Sequence, residues 1–305
     1  MHKNQASLTA MGIAIVRALE SEKPEGQRVC YDPYARRLVS GALFHLARFF
    51  DRLGYGEWRG PGVMGFLAVR ERHIDEHLSA CLAEGLRQLV ILGAGFDARA
   101  HRFEKLKAGV KVFEVDHPAT QQAKLEKLRQ IFGRAPEHVV YVPMDFDTQT
   151  LAERLSESGY DQGLKTLFIW QGVTQYLTPE AVDGTLAFVA RHSGPGSSII
   201  FDYMYTSLLD GAVKHGEVSK MRQDRWISGE ALSFGIPEGA IESFLEQRGF
   251  HRIRNANHFF LHNAYFTGPN EKRKVADGYA IVSAVVKPRD AQATDPRGTL
   301  SPGRK

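Results

Sequence analysis

The sequence is poor in cysteine, in long apolar runs and in excess charge of either sign. Cys30 and Cys81 are the only cysteines among 305 residues, lie far apart and match no metal-binding spacing. This pattern argues against a disulfide scaffold and predicts two free thiols in a reducing compartment. No window approaches the roughly 18 apolar residues of a membrane span, and the N-terminus lacks the apolar core of a signal peptide. We therefore expect a cytoplasmic protein.

The charge balance gives little support to nucleic-acid binding. The formal net charge is +4, and the stretch from Lys287 to Lys305 contributes +3 of it through five basic and two acidic residues. The rest of the chain is nearly neutral, and no basic cluster marks a surface for phosphates. We expect neither a nucleic-acid partner nor a membrane partner, and a small molecule as the ligand.

A metal site is not predicted either. His73 and His77 are spaced like two zinc ligands on one helix face. Zinc hydrolases with this spacing carry glutamate directly after the first histidine, and Ile74 stands there instead. No further ligand is identifiable, so we expect no bound metal.

The chain begins with helices and continues with alternating strands and helices. Residues 7–21 have helical spacing of apolar side chains, Asp32-Pro33 marks a second helix start, and a helix runs from near Val63 to about Glu84. Beyond it, five β-branched runs alternate with helix-like stretches, which predicts an α/β fold with a parallel sheet. The runs are "QLVIL" (88–92), "KVFEVD" (111–116), "HVVYVPMD" (138–145), "KTLFIW" (165–170) and "SSIIFDYM" (197–204).

Two late strands, in "FHRIRNANHFF" and "YAIVSAVVK", follow a short helix that ends at Gly249. Their linker is too short for an ordinary helical crossover, which favours an antiparallel hairpin at the sheet edge. The last segment has almost no apolar residues and is expected to be disordered. We expect a helical extension or lid at 1–85, a core at 86–287 with a lid insertion at about 206–238, and a tail at 288–305.

A glycine loop follows the first predicted strand. Gly93 and Gly95 stand where an open α/β sheet brings bare backbone close to a ligand. The stretch from Gly93 to Ala98 also resembles a dinucleotide fingerprint, so NAD stays open, and a lone glycine pair can simply form a tight turn. Asp97 would repel a pyrophosphate but attract an ammonium group, and nearby arginines could pair with a carboxylate. These features favour S-adenosylmethionine (SAM).

The ends of the second and third strands carry acids suited to adenosine. Asp116 is the expected ligand of the ribose hydroxyls, with Glu114 on the same strand face as second choice. Asp145 and Phe146 place a carboxylate for an exocyclic amine beside an aromatic ring for the adenine face. Asp145 could also be an ordinary helix cap.

Four stretches carry a resemblance to a known family: "VILGAGFDARAHRF", "VFEVDHP", "IWQGVTQYLTPEAV" and the opening "SLTAMGIAIVRALESEKP...YDPYA". They resemble the leucine carboxyl methyltransferase family, above all its bacterial branch of SAM-dependent O-methyltransferases, often associated with polyketide and other secondary metabolism. The resemblance runs from about residue 5 to about residue 287. It implies a class I methyltransferase fold, Rossmann-like with a seven-stranded sheet whose last strand is antiparallel, and SAM as the cofactor.

The resemblance also implies roles for single residues. Arg70 would bind the methionine carboxylate of SAM, with Arg17 as a second partner. Gln171 stands where many members of the family have glutamate, and it offers the SAM ammonium a neutral oxygen in place of a charge. Asp97 or backbone carbonyls at Gly93 could then take more of that ammonium. The remaining carried-over positions are Gly93, Asp116 and the pair Asp145-Phe146.

The methyl acceptor is less well marked. In-line methyl transfer needs no metal and no conspicuous catalytic residue, although an alcohol acceptor could use a general base. We expect O-methylation of a hydroxyl or carboxyl group of a small metabolite. The alternatives are carboxyl methylation of a protein C-terminus, a non-catalytic SAM-binding sensor or scaffold, and an NAD-dependent oxidoreductase. The residues expected near the acceptor are Gln175, Tyr176, Tyr203, Tyr205 and Trp226, with Tyr203, His258 and His262 as weak catalytic candidates.

Overall fold

The structure is a computed structural model that describes residues 8–145, 148–210 and 232–288. Its strands form one sheet in the order β3-β2-β1-β4-β5-β7-β6. Strands β1 to β5 are parallel, and β7 runs antiparallel to both β5 and β6. The strands are β1 (Gln88–Leu92), β2 (Lys111–Asp116), β3 (Val139–Pro143), β4 (Thr166–Trp170), β5 (Ser198–Met204), β6 (Phe250–Ala256) and β7 (Tyr279–Val286). The predicted seven-stranded α/β sheet with an antiparallel last strand is confirmed.

Helices precede the sheet and connect its strands. Several of them begin at the signals that the sequence shows: Pro118 opens the helix after β2, and Thr150 and Glu153 form a capping box after β3. The helices are α1 (Leu8–Ser21), α2 (Ala35–Leu38), α3 (Gly41–Arg52), α4 (Tyr55–Arg59), α5 (Val63–Ala83), α6 (Arg99–Arg102), α7 (Glu104–Lys107), α8 (Pro118–Phe132), α9 (Leu151–Glu157), α10 (Pro179–Arg191), α11 (Thr206–Asp210), α12 (Ile241–Glu246) and α13 (His258–Tyr265).

The hairpin prediction at the end of the chain needs a correction. β6 and β7 pair antiparallel as expected, but β6 ends at Ala256 and the eight-residue helix α13 lies between the two strands. Asn257 stops the strand and starts the helix, because its side chain accepts a hydrogen bond from the amide of Phe260 at 3.0 Å. The linker is therefore long enough for a short helix packed against α5.

Apolar layers cover both faces of the sheet, and the N-terminal helices pack beside them. One layer combines the side chains of Phe113, Phe168 and Phe201 with α9, α10 and α12. The other combines Leu89 and Ile169 with α5 and α13. Helix α1 and its neighbours form a third cluster next to the glycine loop. None of the helices in the described ranges is long and apolar enough to span a membrane.

The parallel strands end along one edge of the sheet, where the expected site residues follow them. Leu92 pairs with Val115 and Trp170, and Trp170 pairs with Phe201. The loops after β1, β2 and β4 therefore start side by side, next to β5.

Candidate functional site

The glycine loop after β1 is held in a shape that only glycine adopts readily. Gly93 and Gly95 have φ values of 64° and 47°. A Cβ at Gly93 would overlap with Cγ2 of Val173 after β4, and one at Gly95 would lie 3.0 Å from Cβ of Ala10 in α1. The amide of Gly93 donates to the carbonyl of Val115 at 2.8 Å. The loop is thus bare backbone fixed between β2, β4 and α1.

Asp116 lies at the end of β2 with its carboxylate oriented by backbone amides. It accepts hydrogen bonds from the amide of Gly95 and, at 2.6 Å, from that of His117. Burial raises the pKa of Asp116, and both hydrogen bonds oppose that rise. Each carboxylate oxygen has a second acceptor position, so this geometry suits the predicted ribose role.

Glu114, the second choice for the ribose, serves a different purpose. It is buried between β2 and α8, where its Oε2 lies 2.7 Å from Nζ of Lys124. Its Oε1 lies 3.9 Å from Nε2 of His101. Burial raises the pKa of Glu114 to about 7, although Lys124 works in the opposite direction. Alternation along β2 puts Glu114 on the same face as Asp116 but two residues further from the strand end. Its side chain therefore contacts α8.

The predicted adenine pair is only half described. Asp145 lies two residues beyond the end of β3, and its backbone amide donates to Oε1 of Gln149 at 2.9 Å. Phe146 lies outside the described residues. The adenine role of both stays a prediction.

Arg70 combines one strong ion pair with two unused donors. Its Nη1 lies 2.5 Å from Oδ2 of Asp202 on β5, and the other oxygen of Asp202 accepts the amide of Gly172 at 2.6 Å. The Arg70 side chain is only 2% exposed. Within the described part of the chain, its Nε and Nη2 have no hydrogen-bond partner. A buried guanidinium with two unused donors beside the end of β4 fits an anionic ligand group.

Arg17 and Asp97 are occupied by protein groups. The guanidinium of Arg17 contacts Asp32 at 3.1 Å and Glu71 at 3.6 Å, and it donates to the carbonyl of Phe96. Arg17 therefore braces the glycine loop from α1, with all three of its nitrogens in use.

Asp97 is paired with Arg99 through both the side chain and the backbone amide, the latter at 2.7 Å. Burial opposes ionisation of Asp97, but the charges of Arg99 and Arg17 outweigh it and lower its pKa. The Asp97 carboxylate is thus already paired with Arg99, and its predicted role of binding the SAM ammonium stays a prediction. Arg99 is likewise paired with carboxylates of the protein, so its guanidinium is not available to a carboxylate of the ligand.

Gln171 follows β4 and bridges two charged side chains. Its Oε1 accepts a hydrogen bond from Nη1 of Arg99 at 2.8 Å, and its Nε2 donates to Oε1 of Glu71. Sequence reasoning misses Glu71, Arg99 and Asp202 as site residues. Their charged character is visible in the sequence, but their convergence depends on chain segments that are far apart in it.

Three of the residues expected near the acceptor follow β4 or β5, and their roles stay predictions. Gln175 accepts the amide of Ser233 through its backbone carbonyl at 2.8 Å, and the amide of Tyr205 donates to the carbonyl of Gly278 at 3.0 Å. Both therefore lie where loops cross the ends of β4 and β5. Tyr176 forms part of a short 3-10 turn in the same loop as Gln175. Trp226 lies outside the described residues.

The three catalytic candidates do not converge. Tyr203 is on the face of β5 opposite to Asp202, buried in the core, with its hydroxyl 3.2 Å from Oδ1 of Asn255. Tyr203 therefore packs away from the Arg70 side, and its role near the acceptor or as a catalytic residue stays a prediction. His258 and His262 lie on α13 and not on a hairpin, and Nε2 of His262 is 3.1 Å from the carbonyl of Arg273. A role for either histidine as a base stays a prediction.

The histidine pair on α5 belongs to a helix contact. Nδ1 of His73 lies 2.9 Å from the hydroxyl of Tyr265 on α13, and burial lowers the pKa of both His73 and His77. Across residues 8–145, 148–210 and 232–288, no group of three or more histidine, cysteine or acidic side chains could hold a metal ion.

The residues at this edge fit SAM. The two unpartnered nitrogens of Arg70 match its carboxylate, and the oriented carboxylate of Asp116 matches ribose hydroxyls. The loop at Gly93 brings backbone close without a phosphate-binding helix, since α6 has only four residues.

Comparisons with known proteins show the family. The family model described as leucine carboxyl methyltransferase matches residues 10–190. A Bacillus subtilis protein, YktD, is 32% identical over 219 residues, which are 72% of each chain. A Streptomyces coelicolor protein is 31% identical over 76% of this chain and 86% of its own length. The names of both relatives assign them to the SAM-dependent methyltransferases.

Solved structures show the same fold. A Thermobifida fusca protein named as a methyltransferase has a TM-score of 0.58 at 13% identity, covering 93% of this chain and 96% of its own. A Streptomyces avermitilis protein of the duf574 family has a TM-score of 0.56 at 13% identity, covering 91% and 97%. With the family match and the site geometry, we conclude that this chain belongs to the leucine carboxyl methyltransferase family and is a SAM-dependent methyltransferase.

Proposed function

We propose that the protein transfers the methyl group of SAM to a hydroxyl or carboxyl oxygen of a small metabolite, of the polyketide-like or another secondary class. The observation that carries this proposal is the enclosure of the strand ends. Ile13 of α1 lies against Gly172, at 3.2 Å from the position of a Cβ there, and Ala10 lies against Gly95. Residues 233 and 234 bond to the carbonyl of Gln175 on the other side. Such walls suit a small acceptor better than the terminus of a folded protein.

Methyl transfer requires mainly that the acceptor oxygen is aligned with the methyl group of SAM and that water is excluded from the site. When bound, SAM supplies a methyl group on a sulfonium, which an oxygen nucleophile displaces in line without a metal. Arg70 would hold the carboxylate, Asp116 the ribose, and the bare loop at Gly93 would let the cofactor approach the sheet. Helix α1 would limit the access of water.

The tyrosines at this edge would donate hydrogen bonds and not remove protons. Burial raises the pKa of Tyr205, directly after β5, and that of Tyr279, at the start of β7. Their hydroxyls therefore keep their protons at neutral pH and can orient an acceptor oxygen. A carboxylate or an acidic phenol needs no base, so either class fits these residues.

The test is methyl transfer from SAM with a deuterated methyl group to a panel of acceptors. The panel contains phenols, aliphatic alcohols, carboxylic acids and peptides with a free C-terminal leucine. Mass spectrometry detects labelled products, and mild alkali separates methyl esters, which hydrolyse, from methyl ethers, which do not. We expect label on a small acceptor and none on the peptides. Label on peptides alone would favour protein carboxyl methylation, whereas SAM binding without any transfer would favour a sensor or scaffold.

A further inference from the structure

We propose that Glu71 supplies the negative charge for the SAM ammonium, in place of the glutamate that the resemblance leads one to expect at position 171. The negative charge that binds the ammonium thus lies on α5, at Glu71, and not at the end of β4. The inference rests on the assignment of SAM as the cofactor and is independent of the identity of the acceptor.

The first observation is the direct contact between the two positions. Gln171 donates a hydrogen bond from Nε2 to Oε1 of Glu71, and it accepts one from Arg99. A glutamate at 171 would put two carboxylates in contact, and like charges at that distance cannot both ionise easily. Glutamate at 71 and glutamine at 171 are therefore matched, with one carboxylate and one amide sharing the place.

The second observation is the charge of the ion-pair cluster around Glu71. The cluster is connected by contacts of 3.6 Å or less. Within the described part of the chain it holds three guanidinium groups and four carboxylates, so its own groups sum to one net negative charge. An added ammonium group would neutralise it. The members are Arg17, Arg99, Arg102, Asp32, Glu71, Asp75 and Asp97.

The third observation is the position of Glu71 next to the carboxylate-binding residue. Arg70 and Glu71 are consecutive on α5, and Gln171 and Gly172 are consecutive after β4. The guanidinium of Arg70 lies near Gly172, while the carboxylate of Glu71 lies against Gln171. The two helix residues therefore present opposite charges beside one turn, as the amino-acid end of SAM requires.

Glu71 is also ionised and has room for another donor. Burial opposes its ionisation, but Arg99 and Arg17 outweigh burial and lower its pKa. Its Oε2 accepts from Nη2 of Arg99 at 2.7 Å, and a carboxylate has about four acceptor positions in total.

Calorimetric titrations with three adenosyl ligands test the proposal. S-Adenosylhomocysteine carries both the carboxylate and the ammonium, decarboxylated SAM carries the ammonium and a sulfonium but no carboxylate, and 5′-methylthioadenosine carries none of these charges. We expect Glu71→Gln to weaken the first two at least tenfold and to change the third by about twofold or less. The matched control Arg70→Gln should weaken S-adenosylhomocysteine and spare decarboxylated SAM.

The exchanged variant E71Q/Q171E separates a ligand role from a structural one. It restores one carboxylate and one amide at the same place, so affinity for S-adenosylhomocysteine should return to within about threefold of wild type. It also keeps the test valid if Glu71→Gln alone fails to fold. The proposal is overturned if Glu71→Gln weakens all three ligands equally, or if the folded exchanged variant binds decarboxylated SAM at least tenfold more weakly than wild type. A wild type that binds none of the three ligands would instead refute the cofactor site itself.

Discussion

Single residues at the strand ends act through backbone geometry as much as through chemistry. Gly93 has a left-handed backbone and no space for a side chain, because Val173 occupies that space. Asp116 is predicted from its place at the end of the second strand and Arg70 from the family resemblance, and both roles stay predictions. Glu71 could not be predicted, because its significance depends on Gln171, one hundred residues away. Ion-pair clusters of this kind depend on tertiary contacts that periodicity does not encode.

Replacing Gly93 with alanine tests the close contact between the glycine loop and Val173. The substitution combines left-handed strain with a Cβ that would overlap with Cγ2 of Val173. We expect Gly93→Ala to destabilise the protein by about 1–3 kcal/mol more than Gly133→Ala. Gly133 also has a left-handed φ, of 79°, but an alanine methyl group there would have no other atom within 4 Å. Urea unfolding of both variants measures the difference, and Val173→Ala should partly rescue Gly93→Ala. Equal costs for the two substitutions would contradict the close approach.

At the scale of elements, the sequence predicts regular segments well and mixed ones poorly. The expected bounds of β1 and β2 agree with the structure because β-branched runs mark them clearly. Helix α13 is hidden in the sequence because "NHFF" continues an apolar strand pattern, although Asn257 is a cap signal. The stretch "DARAHRFEKL" between β1 and β2 forms two short helices, α6 and α7. Arg99, the first residue of α6, is buried.

The contact between β2 and α8 makes a prediction about pH. An unfolded glutamate releases its proton near pH 4.5, whereas burial raises the pKa of Glu114 in the folded protein to about 7. Its stabilising contribution is therefore fully present below about pH 4.5 and is lost as the pH rises through about 7. The loss is on the order of 3 kcal/mol, from 1.4 kcal/mol per pKa unit.

The comparison of wild type with Glu114→Gln/Lys124→Met isolates this effect. Urea unfolding between pH 5 and pH 8 gives the free energy of unfolding of each protein. Relative to the variant, wild type should lose about 2–3 kcal/mol over this range. Glu137→Gln, which removes an exposed carboxylate, is the control and should leave the pH dependence unchanged. Parallel curves for wild type and the double variant would show that Glu114 titrates normally.

At the scale of the whole molecule, the N-terminal helices and the sheet build one site together. The sheet supplies the glycine loop and Asp116, α5 supplies Arg70, and α1 packs on the loop through Ala10 and Arg17. The family match begins at residue 10 and therefore includes α1 with the core. The expected boundary at residue 85 separates regions of different secondary structure, and the site depends on both of them.

The roles of Arg70 and Asp116 in binding SAM are tested by calorimetric titration of wild type, Arg70→Ala and Asp116→Ala with SAM and with NAD. We predict that wild type binds SAM and not NAD, and that each variant weakens SAM binding at least tenfold, about 1.4 kcal/mol or more. Binding of NAD without SAM, or SAM binding that neither substitution changes, would contradict the account.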